Sequence, residues 1–362
     1  MTFPKITGVV VSRDDWGLLA VSITHALINH VDEVLVLDHR STDETSNGLR
    51  YLQTLWPGRI RTWRSNLGFF EQEAATNALA HLALSSGPDW IYVFDSDEFL
   101  LTAPDVSLKS ILAGFSADQV GLRYSVSNFV SPRSFDEHLL NSYRSLRARS
   151  VPSRSYDDSQ AYDSLYRGTA TFFDFPFVAK LIFRARELSR VTAGAHRVMH
   201  FGGQGVEQRD DRVRCAHLTL PSRAKLSRKA QQGESYVRMG MPKNFGWQAQ
   251  LVYRLQQEGR LDWFWERHSV LDPLVPGSGL QGEHTPPCTI DESLILALEP
   301  SLRFLEQGFA SDDLRRIGQD RIECIEDTVT AVSIDDVIGL TAALQRQTDV
   351  LVKHIKNMSV AR

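Results

Sequence analysis

Asp95, Asp97 and Glu98 put three acidic side chains within four positions, in the stretch WIYVFDSDEFL (90–100). Carboxylate oxygens are hard ligands suited to Mg²⁺ or Mn²⁺. Such a cation takes one or two carboxylates, fills its shell with phosphate oxygens and water, and neutralises charge growing on a departing diphosphate. Residues 91–94 before the acids and 99–101 after them are apolar and call for burial. Buried like charges cost several kcal/mol each unless they are paired, so a positive group is expected beside them. By itself the Asp-x-Asp spacing is common, and a solvated turn after a strand is the competing reading.

The elements that must position these acids follow from periodicity. ITGVVVS (6–12) is a β-branched run and reads as a buried strand. Residues 14–30 carry Leu18, Leu19, Ile23, Ala26 and Leu27 at helical spacing, with Asp14 or Asp15 as the cap. A second strand follows at 33–38, then a helix opened by the capping signature in STDET, and a third strand at 59–64. A helix at 71–84 ends at SSGPD, and a fourth strand leads into the acids. This alternation predicts an α/β fold, a mainly parallel sheet flanked by helices. In such sheets ligands lie beyond the carboxyl ends of the strands, where Ser12, Asp38 and Asp95 all fall.

Past the acids the pattern changes. Residues 123–167 are polar, rich in arginine and tyrosine, and read as a long loop or excursion. FVAKLIFRA (177–185) returns to strand character, and GAHRVMHF and RCAHLTL are short strand or loop candidates. Residues 225–274 read as helical. Their tryptophans Trp247, Trp263 and Trp265 read as core, with stacking on a sugar face as the functional alternative. GSGLQGEHTPPC reads as a loop. Residues 333–357 place Val337, Leu340, Leu344, Leu351 and Ile355 at near-heptad spacing, the pattern of a terminal amphipathic helix. That stripe must bury either on its own chain or against the same helix of a second subunit, which would make a homodimer.

Composition sets the class. With 362 residues, 42% apolar and 23% charged, the chain can bury one large core or two. A net charge of −4 gives no reason to expect nucleic acid as a partner. Three dispersed cysteines, Cys215, Cys288 and Cys324, suggest a reducing compartment without a disulfide framework. No apolar run approaches the roughly 20 residues of a transmembrane segment. The first strand also begins too early for a signal peptide. The expectation is a soluble cytoplasmic protein, with room for peripheral attachment at the inner membrane surface.

Several ordered elements together resemble the family-2 type glycosyltransferases, which have the GT-A nucleotide-sugar-binding fold. VVVSRDDWGLLAVSITHAL, VDEVLVLDHRSTDET, EQEAATNALA and DWIYVFDSDEFL carry the likeness. It is strongest to the subgroup whose metal motif reads Asp-x-Asp-Glu-Phe. AKLIFRA is similar to that subgroup's Lys-x-Ile-x-Arg strand, GAHRV to its Gly-x-His-Arg element, and AHLTLPSRAKLSRKAQQG to its His-(Tyr/Phe)-x-x-x-Ser element ending in lysine. The likeness spans about residues 6–232. It implies that Ser12 and Arg13 hold the nucleotide, that Asp38 contacts the base, and that Gln72 and Asn77 lie on a helix facing the nucleotide. Asp95 would approach ribose or metal, Asp97 would ligate the metal, and Glu98 would ligate it or support it. His217 or His196 would supply a late metal ligand. Arg223, Lys225, Arg228 and Lys229 form a positive cluster on a predicted helix, either a solvated face or a contact for the diphosphate. The sequence departs from the pattern at His39 and Arg40, where many relatives have Asp or Asn then Gly; Arg40 would still meet a phosphate. It departs again at Pro221, where a basic residue is common.

The resemblance implies a GT-A domain at 1–225, and the residue pattern beyond it adds a helical extension at 226–320 and an amphipathic helix at 321–362. The implied activity is a metal-dependent, inverting glycosyltransferase, with Mn²⁺ or Mg²⁺ as cofactor. It would move a sugar from a nucleoside-diphosphate sugar donor to a saccharide or other hydroxyl acceptor. Asp174 and Glu137 are the candidate bases. Two rivals belong to other classes. A nucleotidyltransferase would be expected to carry a Gly-rich phosphate loop near the first strand, and VVVSRDDWG has none. A non-catalytic sugar- or nucleotide-binding module of the same fold would not need all three acids.

Overall fold

The computed structural model describes residues 3–68, 71–155, 158–200, 205–271, 287–317 and 333–360. Cys324, the GSGLQGEHTPPC segment as far as residue 286 and the expected boundary at 320/321 lie outside the described residues. The first hundred residues alternate as their periodicity requires. Strand β1 (Ile6–Ser12) leads to helix α1 (Trp16–Asn29), β2 (Glu33–His39) to α2 (Thr45–Leu55), and β3 (Ile60–Ser65) to α3 (Gln72–Ala83) and β4 (Trp90–Val93). All three pairings among these strands are parallel, in the order β3-β2-β1-β4. Successive side chains point to opposite faces. Val10, Val34 and Val36 therefore face α1, while Val9, Leu35 and Leu37 pack with the alanines of α3. A strand covered on both faces reads as a continuous apolar run.

The middle of the chain departs from the expected excursion. After β5 (Glu98–Thr102) and α4 (Leu108–Ala113) comes a 12-residue strand, β6 (Gln119–Val130). Helix α5 (Leu140–Tyr143), strand β7 (Ala148–Ser150) and helix α6 (Asp158–Arg167) follow. Strand β8 (Lys180–Arg184) then inserts between β4 and β6, antiparallel to both. Strands β9 (Leu188–Val191) and β10 (Val198–His200) form a separate hairpin. Strand β11 (Val206–His217) runs parallel to β6 and antiparallel to β5. Both long strands were hidden by polar residues. β11 is charged where it is solvent-exposed, and β6 carries Ser125, Ser127 and Asn128 between buried Tyr124 and Phe129.

Helices α7 (Arg223–Arg238), α8 (Trp247–Gln257) and α9 (Leu261–Arg267) build a third core with Phe172, Phe175 and Trp265. The expected 225/226 boundary falls inside α7. After β12 (Cys288–Ile290), paired with β7, helix α10 (Ser293–Phe309) packs its leucines into the same core as α1. The Trp16 indole donates to the Leu314 carbonyl at 2.9 Å, tying that segment to α1. The last helix, α11 (Ile334–Val360), lies along α3 and buries Ile334, Ile338 and Ala342. Of the stripe read from the sequence, Val337 is partly buried on the α3 side, while Leu340 and Leu344 are 63% and 62% exposed on this chain. The residues that α3 buries recur every four positions, one face of a helix lying on it. The side chains of Leu351 and Ile355 lie outside the described residues. Among the described residues no helix is long and apolar enough to cross a membrane.

Candidate functional site

Asp95, Asp97 and Glu98 occupy the link between β4 and β5, at the carboxyl edge of the parallel strands. Glu98 opens β5, and its partner across the antiparallel pairing with β11 is His217. On its other side His217 stands level with Asn128 of β6. Three adjacent strands thus bring Glu98, His217 and Asn128 to one level, and the Leu218 N–H donates to the Asp97 carbonyl at 2.9 Å.

The expected positive charge is Lys180. Strand β8 runs against β4 with Ile182 opposite Tyr92, so its first residue lands level with the end of β4. The Lys180 side chain is 2% exposed; its ammonium donates to Asp95 Oδ2 at 2.9 Å and pairs with Glu98. Burial pushes the Asp95 carboxyl up, but the Lys180 ammonium outweighs it and holds the group below its ordinary value. Glu98, deeper, is raised to about 8 by burial, with Lys180 opposing and Asp95 and Asp97 adding. Burial works against the Lys180 ammonium, and Asp95 and Glu98 overcome it.

Asp97 differs from its neighbours. Its carboxylate makes no hydrogen bond among the described residues; His217 Nε2 and Lys225 Nζ each stand 3.8 Å away. Burial, opposed by Lys225 and reinforced by Asp95 and Asp15, raises it to about 6. His217 is buried, and its Nδ1 lies 2.9 Å from Asn128 Oδ1, which can only accept. Nδ1 therefore carries the proton and Nε2 presents a lone pair toward Asp97. Burial, with Lys180 next, lowers the imidazole to about 3, so it is neutral at pH 7. Donor atoms of Asp97, Glu98 and His217 lie within 4.8 Å of one another. Two carboxylates and a neutral imidazole, one carboxylate left unbonded by the protein, fit the donor set of Mn²⁺ or Mg²⁺.

Helix α7 closes the other side. Ser222 caps it by accepting from the Lys225 N–H at 3.0 Å, and Lys225, Arg228 and Lys229 share its inward face. Lys225 and Arg228 both bind Asp15, which also accepts from Ser96. Burial raises the Asp15 carboxyl, but Lys225 and Arg228 reverse this and leave it below its ordinary value. Asp14 or Asp15 was expected to cap α1; Asp43 accepts from the Trp16 N–H instead, at 3.1 Å, while Asp14 accepts from the Thr42 N–H and Asp15 makes no cap hydrogen bond. Lys229 is half-buried, its ammonium disfavoured by burial and favoured by Asp97, with no hydrogen bond or ion pair among the described residues. Arg223 pairs outward with Asp262.

The remaining candidates divide. Gln72 Nε2 reaches Asp95 Oδ1 at 3.4 Å. Ser12, at the end of β1, is buried, and its hydroxyl has no hydrogen-bond partner among the described residues. Arg13 is exposed and pairs with Asp14 at 3.3 Å; Arg40 is exposed with a positive φ of 56°. Asp38 accepts from the Ser41 N–H at 2.9 Å and the Ser46 hydroxyl at 2.5 Å, so both oxygens hold the β2–α2 turn. Asn77 stitches α3 to β9 through Val191, donating at 2.6 Å and accepting at 2.7 Å. His196 donates Nδ1–H to the Ala179 carbonyl at 3.1 Å and meets Phe177 rather than the acids. Glu137 is buried between Arg228 and Ser222, and Asp174 closes a capping box with Thr171. Lys180, Asp15, Asn128 and Thr219 were missed as site residues. For Lys180 a signal existed, the one charge inside the apolar run FVAKLIF. For the others the signal lies in pairing register alone.

No family model matches the chain, and no curated protein matches it. Solved structures do. A mannosyltransferase from Pyrobaculum calidifontis, in complex with GDP-Man and Mn²⁺, is 14% identical over 88% of this chain and 85% of its own, with a TM-score of 0.36. TarS from S. aureus (residues 1–349, in complex with UDP) is 14% identical with a TM-score of 0.28 over 50% of this chain. There the chain spans about half of that structure, 47%. Glucosyl-3-phosphoglycerate synthase from Mycobacterium tuberculosis, in complex with Mg²⁺ and UDP, is 16% identical over 34% of this chain and 44% of its own, with a TM-score of 0.24. These are likenesses of fold at low identity, and what each of those proteins binds is a property of that protein.

Proposed function

We propose that the chain is a metal-dependent glycosyltransferase, moving a sugar from a nucleoside-diphosphate sugar to an acceptor hydroxyl with inversion. The supporting observation is Asp97. It is an unbonded carboxylate at the carboxyl edge of a parallel sheet, with Glu98 and neutral His217 on one side and two lysines on the other. The Asp97 side chain is only 14% exposed and makes no hydrogen bond among the described residues, and a ligand that completes it is the economical explanation. Asp97 and His217, with Glu98 beside them, would hold Mn²⁺ or Mg²⁺, which when bound offsets charge on the departing diphosphate. Lys180 keeps Asp95 ionised and Glu98 in place. Asp15 holds Lys225 by the site, and unpaired Lys229 is free to meet phosphate oxygens. Ser12 and Gln72 border the nucleotide side. The acceptor hydroxyl attacks in line through an oxocarbenium-like transition state and must pass its proton to a base. Glu137 and Asp174 remain the proposed bases, and each must release a present partner to serve.

The test is thermal stabilisation by Mn²⁺ with uridine and guanosine diphosphates, followed by hydrolysis of the matching nucleotide sugars. A ligand bound only by the folded state raises the melting temperature by mass action. Absence of any shift with every nucleoside diphosphate, with and without Mn²⁺, would sink the reading.

A further inference from the structure

Helix α3 carries Gln72 at its first position, and that end of the helix has no cap of its own. Glu71, at the N-cap, makes no side-chain cap hydrogen bond. An uncapped helix end frays, because its first N–H groups lack partners. Gln72 Nε2 nevertheless stays 3.4 Å from Asp95 Oδ1. The support comes from α11. Asp335, its second residue, accepts the Asn66 N–H with both carboxylate oxygens, at 3.1 and 3.2 Å, just past the end of β3. About three turns further on, Arg346 donates to both oxygens of Glu71, at 3.1 and 3.4 Å. Asp349 accepts from Arg190 of β9 at 2.6 Å, and Arg190 donates to Glu73 at 2.6 Å. Both sides of the β3–α3 connection are thus tied to one helix, whose Ile334, Ile338 and Ala342 pack with Ala74, Ala75 and Ala78.

We propose that α11 is a strap that holds the first turn of α3, and with it Gln72, against the acidic motif, so that nucleotide affinity depends on side chains of α11. The dependence of nucleotide affinity rests on the transferase reading. Residues 335, 338, 342, 346 and 349 fall at intervals of 3, 4, 4 and 3, one face of a helix, so a single seating makes all these contacts together. Exposed ion pairs such as Arg346–Glu71 stabilise little one by one. Here the buried apolar residues hold α11 in place, and the polar ties direct that hold to the uncapped end. Without the ties, that end would be re-ordered each time a nucleotide bound, and the ordering would be subtracted from the affinity.

The experiment is amide hydrogen exchange by NMR on the full, ligand-free chain, with calorimetric nucleotide affinity as the second readout. The Ala75 N–H donates to the Glu71 carbonyl at 2.9 Å and reports on the first turn of α3. Asp335→Ala combined with Arg346→Ala should speed exchange at Asn66 and Ala75 about tenfold, the scale of releasing one ordered residue, and should shift the Gln72 side-chain amide resonance. Amides of β1 should keep their rates. The double variant should bind UDP or GDP with Mn²⁺ about tenfold more weakly. Asp335→Asn with Arg346→Lys keeps an acceptor and a cation and should restore most of both effects. Leu344→Ser, on the outward face, should change neither. Unchanged exchange at Ala75 in the double variant overturns the strap. So does an equal speeding of the β1 amides, because the substitutions have then only destabilised the whole fold. Faster exchange at Ala75 with unchanged nucleotide affinity overturns its link to the site. A wild-type chain that binds neither nucleotide refutes the transferase reading, and the Ala75 rate and the Gln72 resonance then decide the strap by themselves.

Discussion

Acidification from pH 7 to 5 should cost the folded chain about 4 kcal/mol through two histidines behind the acidic motif. His25 of α1 and His30 just past its end both donate Nε2–H to the Leu100 carbonyl, each at 2.7 Å. Leu100 lies two residues beyond Glu98 on β5, so this pair anchors the strand that carries the motif. The rings meet edge-on with centroids 5.2 Å apart, and both are buried. Burial lowers His25 to about 4; burial and then the neighbouring His25 lower His30 to about 3. In the unfolded chain both titrate near 6.5. The unfolded state therefore binds protons first, and stability present above pH 6.5 is lost as pH falls toward the folded values. From 6.5 to 5 each group contributes about 1.5 pH units at about 1.4 kcal/mol per unit, or about 2 kcal/mol. Urea unfolding from pH 7.5 to 5 measures the loss. Other groups titrate in the same window, so the decisive quantity is a difference. His30→Leu should reduce the acid-induced loss by about 2 kcal/mol, whatever the substitution costs at pH 7. Equal losses in wild type and variant would refute the reasoning.

Three further outcomes are expected. Asp97→Ala should abolish the stabilisation by Mn²⁺ with nucleoside diphosphate while circular dichroism stays native, and His217→Ala should weaken Mn²⁺ binding in calorimetry more than His196→Ala. The reverse order would move the ligand to His196. Lys180→Met leaves buried Glu98 and partly exposed Asp95 without their cation and should cost about 2–4 kcal/mol in urea unfolding at pH 7; a cost under about 1 kcal/mol would mean that the acids are solvated. Ending the chain after residue 332 removes the burial of Ile334 and Ile338 on α3, at about 1.5–3 kcal/mol each. It should lower the melting temperature, and an unchanged midpoint in scanning calorimetry would return α11 to the role of an interface helix.

The β-α alternation of the first hundred residues was legible because each element there follows a local rule. Buried parallel strands are continuous apolar runs, and their helices repeat at 3.6. The acids were legible for the same reason, as charge placed where its flanks demand burial. Their need for a cation was legible too, but its source was not. Lys180 is 85 residues from Asp95, and only the insertion of β8 between β4 and β6 places it there. The tail shows the limit of periodicity. Val337, Leu340 and Leu344 keep a heptad spacing, while the surface of α3 buries Ile334, Ile338 and Ala342, with Val337 at its margin. Asp14 or Asp15 read as the cap, since α1 begins beside them, yet the tertiary structure let Asp43 accept from the Trp16 N–H and turned Asp15 toward Lys225 and Arg228. Residue types and spacing therefore determined the layered fold and the presence of a carboxylate site at its edge. The tertiary structure decided which histidine faces the acids, which lysines balance them and which apolar stripe is buried. Those choices depend on register between strands far apart in the chain, and a one-residue slip in that register would turn every side chain to the other face.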